Sequence, residues 1–263
     1  MKIIVCIKQV PDTAKVKIDK VTGTLMREQV PSIINPDDKH ALEEALRIKD
    51  RHKDVKVIAI SMGPPQAEVA LIEAIAKGAD EAYLLTDKVF AGSDTYATAK
   101  VLAAGIKYIG DYDLIFCGRQ AIDGDTAHVG PQLAERLGIP QITYVKELEI
   151  DGKQVIAKRA LEDGYFVIKA NMPVLLTAIK ELNKPRYPSI KGIYEGCKGD
   201  RIHILTAKDL NLDENTVGLK ASPTHVSRTF APTIDKRELE FLEGTPREQV
   251  RHLIVRLKEE KII

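Results

Sequence analysis

One stretch of the 263-residue chain concentrates residue types that could handle a nucleotide: Gly118-Arg119-Gln120-Ala121-Ile122-Asp123-Gly124-Asp125-Thr126-Ala127-His128-Val129-Gly130-Pro131. It follows an apolar run and leads into a helical pattern that ends at Leu137-Gly138. Glycines at a strand-to-helix turn let a ligand approach the backbone, and the first amides of a helix offer N–H groups to a phosphate. Arg119 is the cation placed to meet a diphosphate. Asp123 and Asp125 would repel one, and suit ribose hydroxyls or backbone amides better. Asp125 or Thr126 is expected to cap the helix. Pro131 then removes an amide one turn in, so the helix either begins later or is kinked. The stretch has no lysine after its glycines, as a phosphate loop would, and no GxGxxG, the usual nicotinamide fingerprint.

Three other places should reach the same edge. Ile34-Asn35-Pro36-Asp37-Asp38 precedes the first long helical pattern, and Ser61-Met62-Gly63-Pro64-Pro65 follows the second apolar run. Cys6 closes the first run, with Lys8 just beyond. In a doubly wound sheet such loops converge outside the carboxyl ends of the strands.

Other chemistries find little support. The six histidines form neither HxH nor HExxH, and Cys6, Cys117 and Cys197 have no CxxC spacing. A metal site, an iron–sulfur cluster and a disulfide framework are therefore not expected. Cys6 and Cys117 lie in apolar runs and read as small core residues rather than nucleophiles. Glu43-Glu44 reads as a solvated helix face. Lys and Arg total 39 against 38 Asp and Glu, a net charge of +1, which argues against nucleic-acid binding driven by bulk charge. No apolar run approaches the roughly 20 residues of a membrane helix, and the apolar start is too short for a secretory signal. A cytoplasmic setting is expected.

The elements that must position these residues alternate. Lys2–Ile7, Val55–Ser61, Ala82–Leu85 and Leu114–Cys117 read as strands buried on both faces. Asp38–Lys49, Pro65–Lys77 and Thr95–Tyr108 carry apolar stripes at helical spacing. This order predicts a doubly wound, mostly parallel α/β sheet. Val16–Glu28 looks like a small inserted hairpin. After Pro140, Asp151-Gly152 and Asp163-Gly164 separate alternating segments, a hairpin signal. Antiparallel edge strands are thus expected at the far end, finishing with Val174–Ile179. From Asn183 the chain turns proline-rich and then weakly periodic, and Pro246–Glu260 has a narrow apolar stripe. This predicts a nucleotide-binding domain over residues 1–182, with a docking loop and a C-terminal arm packed on another chain over 183–263.

These motifs together resemble the β subunit of electron transfer flavoproteins. The Gly118–Asp125 run with its Val129-Gly130 helix entry is the strongest match. Val5-Cys6-Ile7-Lys8-Gln9-Val10-Pro11-Asp12, Asn35-Pro36, Ser61-Met62-Gly63-Pro64, Gly78-Ala79-Asp80 and Pro185-Arg186-Tyr187 support it. The resemblance implies a Rossmann-like fold similar to that of adenine nucleotide alpha hydrolases, and a heterodimer with a larger, FAD-bearing α subunit. It also implies an adenine nucleotide held by Cys6, Asn35, Pro36, Asp37, Asp38, Met62 and the loop from Gly118 to Val129. In one branch that nucleotide is a structural AMP, in a carrier that feeds a quinone oxidoreductase. In the electron-bifurcating branch it is a second FAD that accepts electrons from NADH. Those electrons are divided between ferredoxin or flavodoxin and, through the α-subunit FAD, a flavin dehydrogenase acting on acyl-CoA or 2-hydroxy acids. Gly124 and the small Thr126 and Ala127 leave room for a diphosphate, and Val10-Pro11-Asp12-Thr13 resembles the bifurcating branch. Ile190 matches the apolar anchor that docks on the dehydrogenase, although Tyr194-Glu195-Gly196 replaces the lysine-rich run of the carrier branch.

Overall fold

The computed structural model describes residues 1–12, 31–224, 227 and 241–263. The expected hairpin at Val16–Glu28 lies outside them. In chain order the elements are β1 Lys2–Cys6, β2 Gln9–Pro11, β3 Ser32–Ile34, α1 Pro36–Arg51, β4 Lys56–Met62, α2 Glu68–Lys77, β5 Glu81–Leu85, α3 Thr95–Ile109 and β6 Leu114–Gly118. They continue with α4 Val129–Leu137, β7 Gln141–Asp151, β8 Gln154–Leu161, β9 Gly164–Asn171, β10 Val174–Ala178, α5 Ile190–Cys197, β11 Ile202–Leu205, α6 Gly218–Ala221 and α7 Pro246–Glu259.

The main sheet runs β11-β5-β4-β1-β6-β10-β7-β8-β9. From β11 to β7 neighbouring strands are parallel, while β7–β8 and β8–β9 are antiparallel. Side chains alternate across a strand, so β1 serves both layers. Ile3 and Val5 join Leu42, Leu46, Leu71 and Ile75 on the α1–α2 side. Ile4 and Cys6 join Val101, Leu102, Ile106 and Leu133 on the α3–α4 side. The apolar runs are continuous because both faces are covered.

Three expectations need correction. The segment expected to finish the antiparallel end, β10, instead lies between β6 and β7 and is parallel to both. All five of its residues are buried, as a strand covered on both faces requires. Second, the division expected at 182/183 does not match the packing: one compact unit spans Met1–His225 and a second Val226–Ile263. β11 pairs with β5, and Leu205, Ala207, Leu210 and Val217 enter the α3–α4 core. Third, Glu43 and Glu44 are buried, because partners from residues 183–186 cover them.

The second unit carries α7. Glu248 accepts hydrogen bonds from the Thr245 amide and hydroxyl at 2.8 and 2.7 Å and closes the first turn. None of the α7 residues is buried. Among the described residues, no helix is long and apolar enough to cross a membrane.

Candidate functional site

The C-terminal ends of β1, β4 and β6 bring Cys6, Met62 and Gly118 to one edge of the sheet. The start of α1 lies against this edge and organises it. Asp38 is buried in the first turn. One carboxylate oxygen accepts the Lys8 amide at 2.8 Å and the other accepts the Gly118 amide at 3.0 Å. Burial pushes the Asp38 carboxyl up to about 7, against the opposing pull of those two amides and of Asn35. Gly118 must be glycine here: a Cβ would sit 2.7 Å from the Asp38 amide and closer still to its carboxylate.

Asn35, 1% exposed, holds the next part of the loop. Its Nδ2 donates to the Gln120 carbonyl at 2.8 Å and its Oδ1 accepts the Ile122 amide at 3.1 Å. Pro36 opens the helix and leaves Asn35 just outside it. Lys8 reaches across the edge, and its Nζ lies 2.7 Å from the Asp123 carboxylate. Gln120 donates to Asp125. Arg119, expected as the phosphate cation, has its Nε 3.3 Å from Oδ2 of the Asp37 carboxylate, an ion pair in which neither atom makes a hydrogen bond. Burial raises the Asp37 carboxyl and Arg119 opposes that rise.

Beyond Ile122 the loop turns outward. The Gly124 and Asp125 amides both donate to the Ala121 carbonyl, at 3.3 and 2.8 Å. Asp125 and Ala127 adopt left-handed conformations with φ of 52° and 56°. Such geometry is ordinary for Asp and unfavourable for Ala. Residues Asp123 to Thr126 are exposed. Among the described residues, the amides of Thr126, Ala127 and His128 donate to no group of the chain. The expected cap by Asp125 or Thr126 does not form: α4 begins after His128, with no side-chain cap. Pro131 is then the third helical residue, whose N–H would have no intrahelical partner, so no kink is needed.

Cys6 and Cys117 lie buried on adjacent strands, facing α3 and α4. The neighbouring Cys6 thiol and burial hold the Cys117 thiol well above its usual range, which favours the neutral form and suits a floor rather than a nucleophile. Met62, half-buried, packs against the same cluster. The structure therefore gathers Cys6, Asn35 to Asp38, Met62 and Gly118 to Val129 at one edge. Ile190 is elsewhere, at the first position of α5, which packs on α2. The sequence reading missed the Lys8–Asp123 tie and the use of Asp38 as a backbone acceptor. A short polar residue directly after Asn-Pro-Asp was the available signal for the second.

A doubly wound, mostly parallel sheet with a glycine-cut loop laced to a helix start places the chain in the doubly wound α/β class. Residues 22–203 match the model of the electron transfer flavoprotein domain. Over its full length and theirs, the chain is 60% identical to an electron transfer flavoprotein subunit beta of Thermoanaerobacterium thermosaccharolyticum and 54% identical to one of Clostridium acetobutylicum. It is 52% identical, again over the whole of both, to the caffeyl-CoA reductase-Etf complex subunit CarD of Acetobacterium woodii. The chain belongs to the electron transfer flavoprotein family, on its β-subunit side.

Proposed function

We propose that the chain holds FAD at the edge formed by Cys6, Asn35 to Asp38, Met62 and Gly118 to Val129, within a heterodimer with an FAD-bearing α subunit. The heterodimer takes electrons from NADH and divides them between ferredoxin or flavodoxin and a flavin dehydrogenase of the acyl-CoA type. A flavin bound here supplies the ability to accept two electrons together and release them singly. The chain's own task is to bind it, orient it and join the partners.

The carrying observation is the outward turn at 123–127. A Cβ on Gly124 would meet no atom within 4 Å, so the loop offers its backbone without side-chain crowding. The donor set fits a phosphorylated group. The amides of residues 126–128 lack partners within the described chain, and the Asp123 charge is already offset by Lys8. The likeness to a subunit of a caffeyl-CoA reductase-Etf complex supports the coupling to an acyl-CoA enzyme. Free Cys6, Cys117 and Cys197 accord with work in the cytoplasm. Residues 226–263 serve as an arm on the α subunit, and Ile190, 90% exposed, is the anchor for the dehydrogenase.

Counting flavin and AMP in a denatured extract of the heterodimer tests the proposal. Two flavins and no AMP are expected; one flavin and one AMP would establish a structural-nucleotide carrier instead. Gly124→Leu should then lose flavin at this site and keep the α-subunit flavin. Two flavins retained in Gly124→Leu would remove the loop from the site.

A further inference from the structure

The segment between β10 and α5 is fastened to α1 by groups that the nucleotide site does not use. Arg186 gives Glu43 its backbone amide at 3.0 Å, its Nε at 2.8 Å and one Nη2 bond at 3.1 Å. The same Nη2 reaches Asp50 at 2.7 Å, and the Arg186 carbonyl accepts from the Lys77 Nζ at 2.8 Å. One turn of chain earlier, Asn183 donates to the His40 carbonyl and to Glu44, both at 2.9 Å. Both glutamates are buried. Burying a carboxylate is unfavourable unless a partner meets it, and among the described residues the partners come from 143 and 139 residues along the chain and from Arg47.

What this clamp holds is α5. Pro185 and Pro188 have no amides to give, and the Ser189 hydroxyl caps the helix by accepting the Gly192 amide at 2.9 Å. Gly192 and Gly196 lie directly on the carbonyls of Ala76 and Ile72 in α2. That close approach turns Ile190, Tyr194 and the neighbouring Tyr187 outward, at 90, 65 and 91% exposure. Meanwhile the start of the same α1 holds Gly118 and the nucleotide loop through Asp38 and Asn35. The twelve helical steps from Asp38 to Asp50 span about 18 Å of rigid helix.

We propose that Arg186 is the positioning residue of the docking helix: seated on Glu43 and Asp50, it fixes α5 through α1 relative to the nucleotide loop. This rests on the reading of α5 as the docking element. Loss of the clamp keeps the Ile190 side chain but loosens the segment that carries it, so docking must order it again.

The experiment uses the intact heterodimer, with an acyl-CoA dehydrogenase as the probe. Arg186→Ala should raise the KM for the dehydrogenase about five- to tenfold with kcat within about twofold, since an ordering penalty acts on association. Amide exchange over 190–197 should quicken while exchange over 118–129 and nucleotide content stay as they are. Arg186→Lys, which keeps one charge contact, should recover part of the KM. Glu43→Gln keeps the volume, and should raise KM alike if Arg186→Ala does not fold. Unchanged KM and unchanged exchange at 190–197, or nucleotide loss in step with the KM change, overturns the proposal. Ile190→Ala separates the two ideas. If it leaves KM untouched, the docking reading falls while the exchange result still reports on the clamp.

Discussion

The two ends of α1 hold their neighbours by different means. At its start, a buried carboxylate and a buried amide side chain bind main-chain atoms of Lys8 and of the loop from Gly118 to Ile122. From its middle to its last turn, the carboxylates of Glu43 and Asp50 bind the guanidinium of Arg186. The first kind of contact fixes the backbone and leaves loop side chains free for a ligand. The second fixes one side chain, half-shielded from solvent, and feels salt more strongly. The proposed cofactor site needs its backbone in one place, whereas the proposed docking segment tolerates a looser hold.

The largest expected effect is at the buried end. Asp38→Ala strands the buried Gly118 amide and the part-buried Lys8 amide, at about 1–3 kcal/mol each, so urea unfolding should lose about 2–6 kcal/mol and nucleotide should be lost with it. A variant that unfolds like the parent would show that Asp38 does not anchor the loop. The same residue sets a pH dependence. Burial raises the folded carboxyl from the ordinary 3.8 to about 7, so between those values the folded state holds the proton more tightly than the unfolded chain. This contribution to stability is complete below pH ~4 and is lost as pH rises toward 7, with a slope of at most about 1.4 kcal/mol per unit. Asp38→Asn should flatten that part of the stability profile. An unaltered profile would place the titration elsewhere.

The two ends also differ in how readily the sequence discloses them. Gly118 to Val129 stands out because glycines, acids and a helix start crowd one strand end, and topology alone then brings Asn35, Cys6 and Met62 alongside. The Arg186 clamp is hidden because its partners are 143 residues apart, and a pair of glutamates on a helix looks solvated until something covers them. The place of β10 was hidden for a related reason. Its residues announce a strand buried on both faces, but nothing in them names β6 and β7 as neighbours. β11 is only four residues long, with His203 and Ile204 exposed, so its pattern was too weak to separate from a surface arm.

A smaller effect on the fold is expected outside the first unit. Every α7 residue is at least partly exposed, and an isolated helix of this length is marginal in water. Deleting residues 230–263 should leave unfolding of the Met1–His225 unit within about 0.5 kcal/mol of the parent, as for surface changes generally. Copurification with the α subunit should fall. A truncated chain recovered with α in full yield would show that the arm does not hold the heterodimer.

The smallest effect on stability belongs to Ile190, and it sharpens the contrast most. With 90% of its surface exposed, Ile190→Ala removes almost no packing and should shift unfolding by less than about 0.5 kcal/mol. An anchor that fills a partner's pocket is another matter: its truncation costs on the order of 2 kcal/mol, about thirtyfold in affinity. Electron delivery to the acyl-CoA dehydrogenase should slow accordingly. On the proposed function, NADH-driven reduction of an artificial dye by the heterodimer needs no dehydrogenase and should stay as it was. The Asp38 variants should behave in the reverse way, losing nucleotide and dye reduction together. If Ile190→Ala lowers dye reduction and dehydrogenase delivery equally, then Ile190 serves the cofactor end, and the division of labour along α1 is wrong.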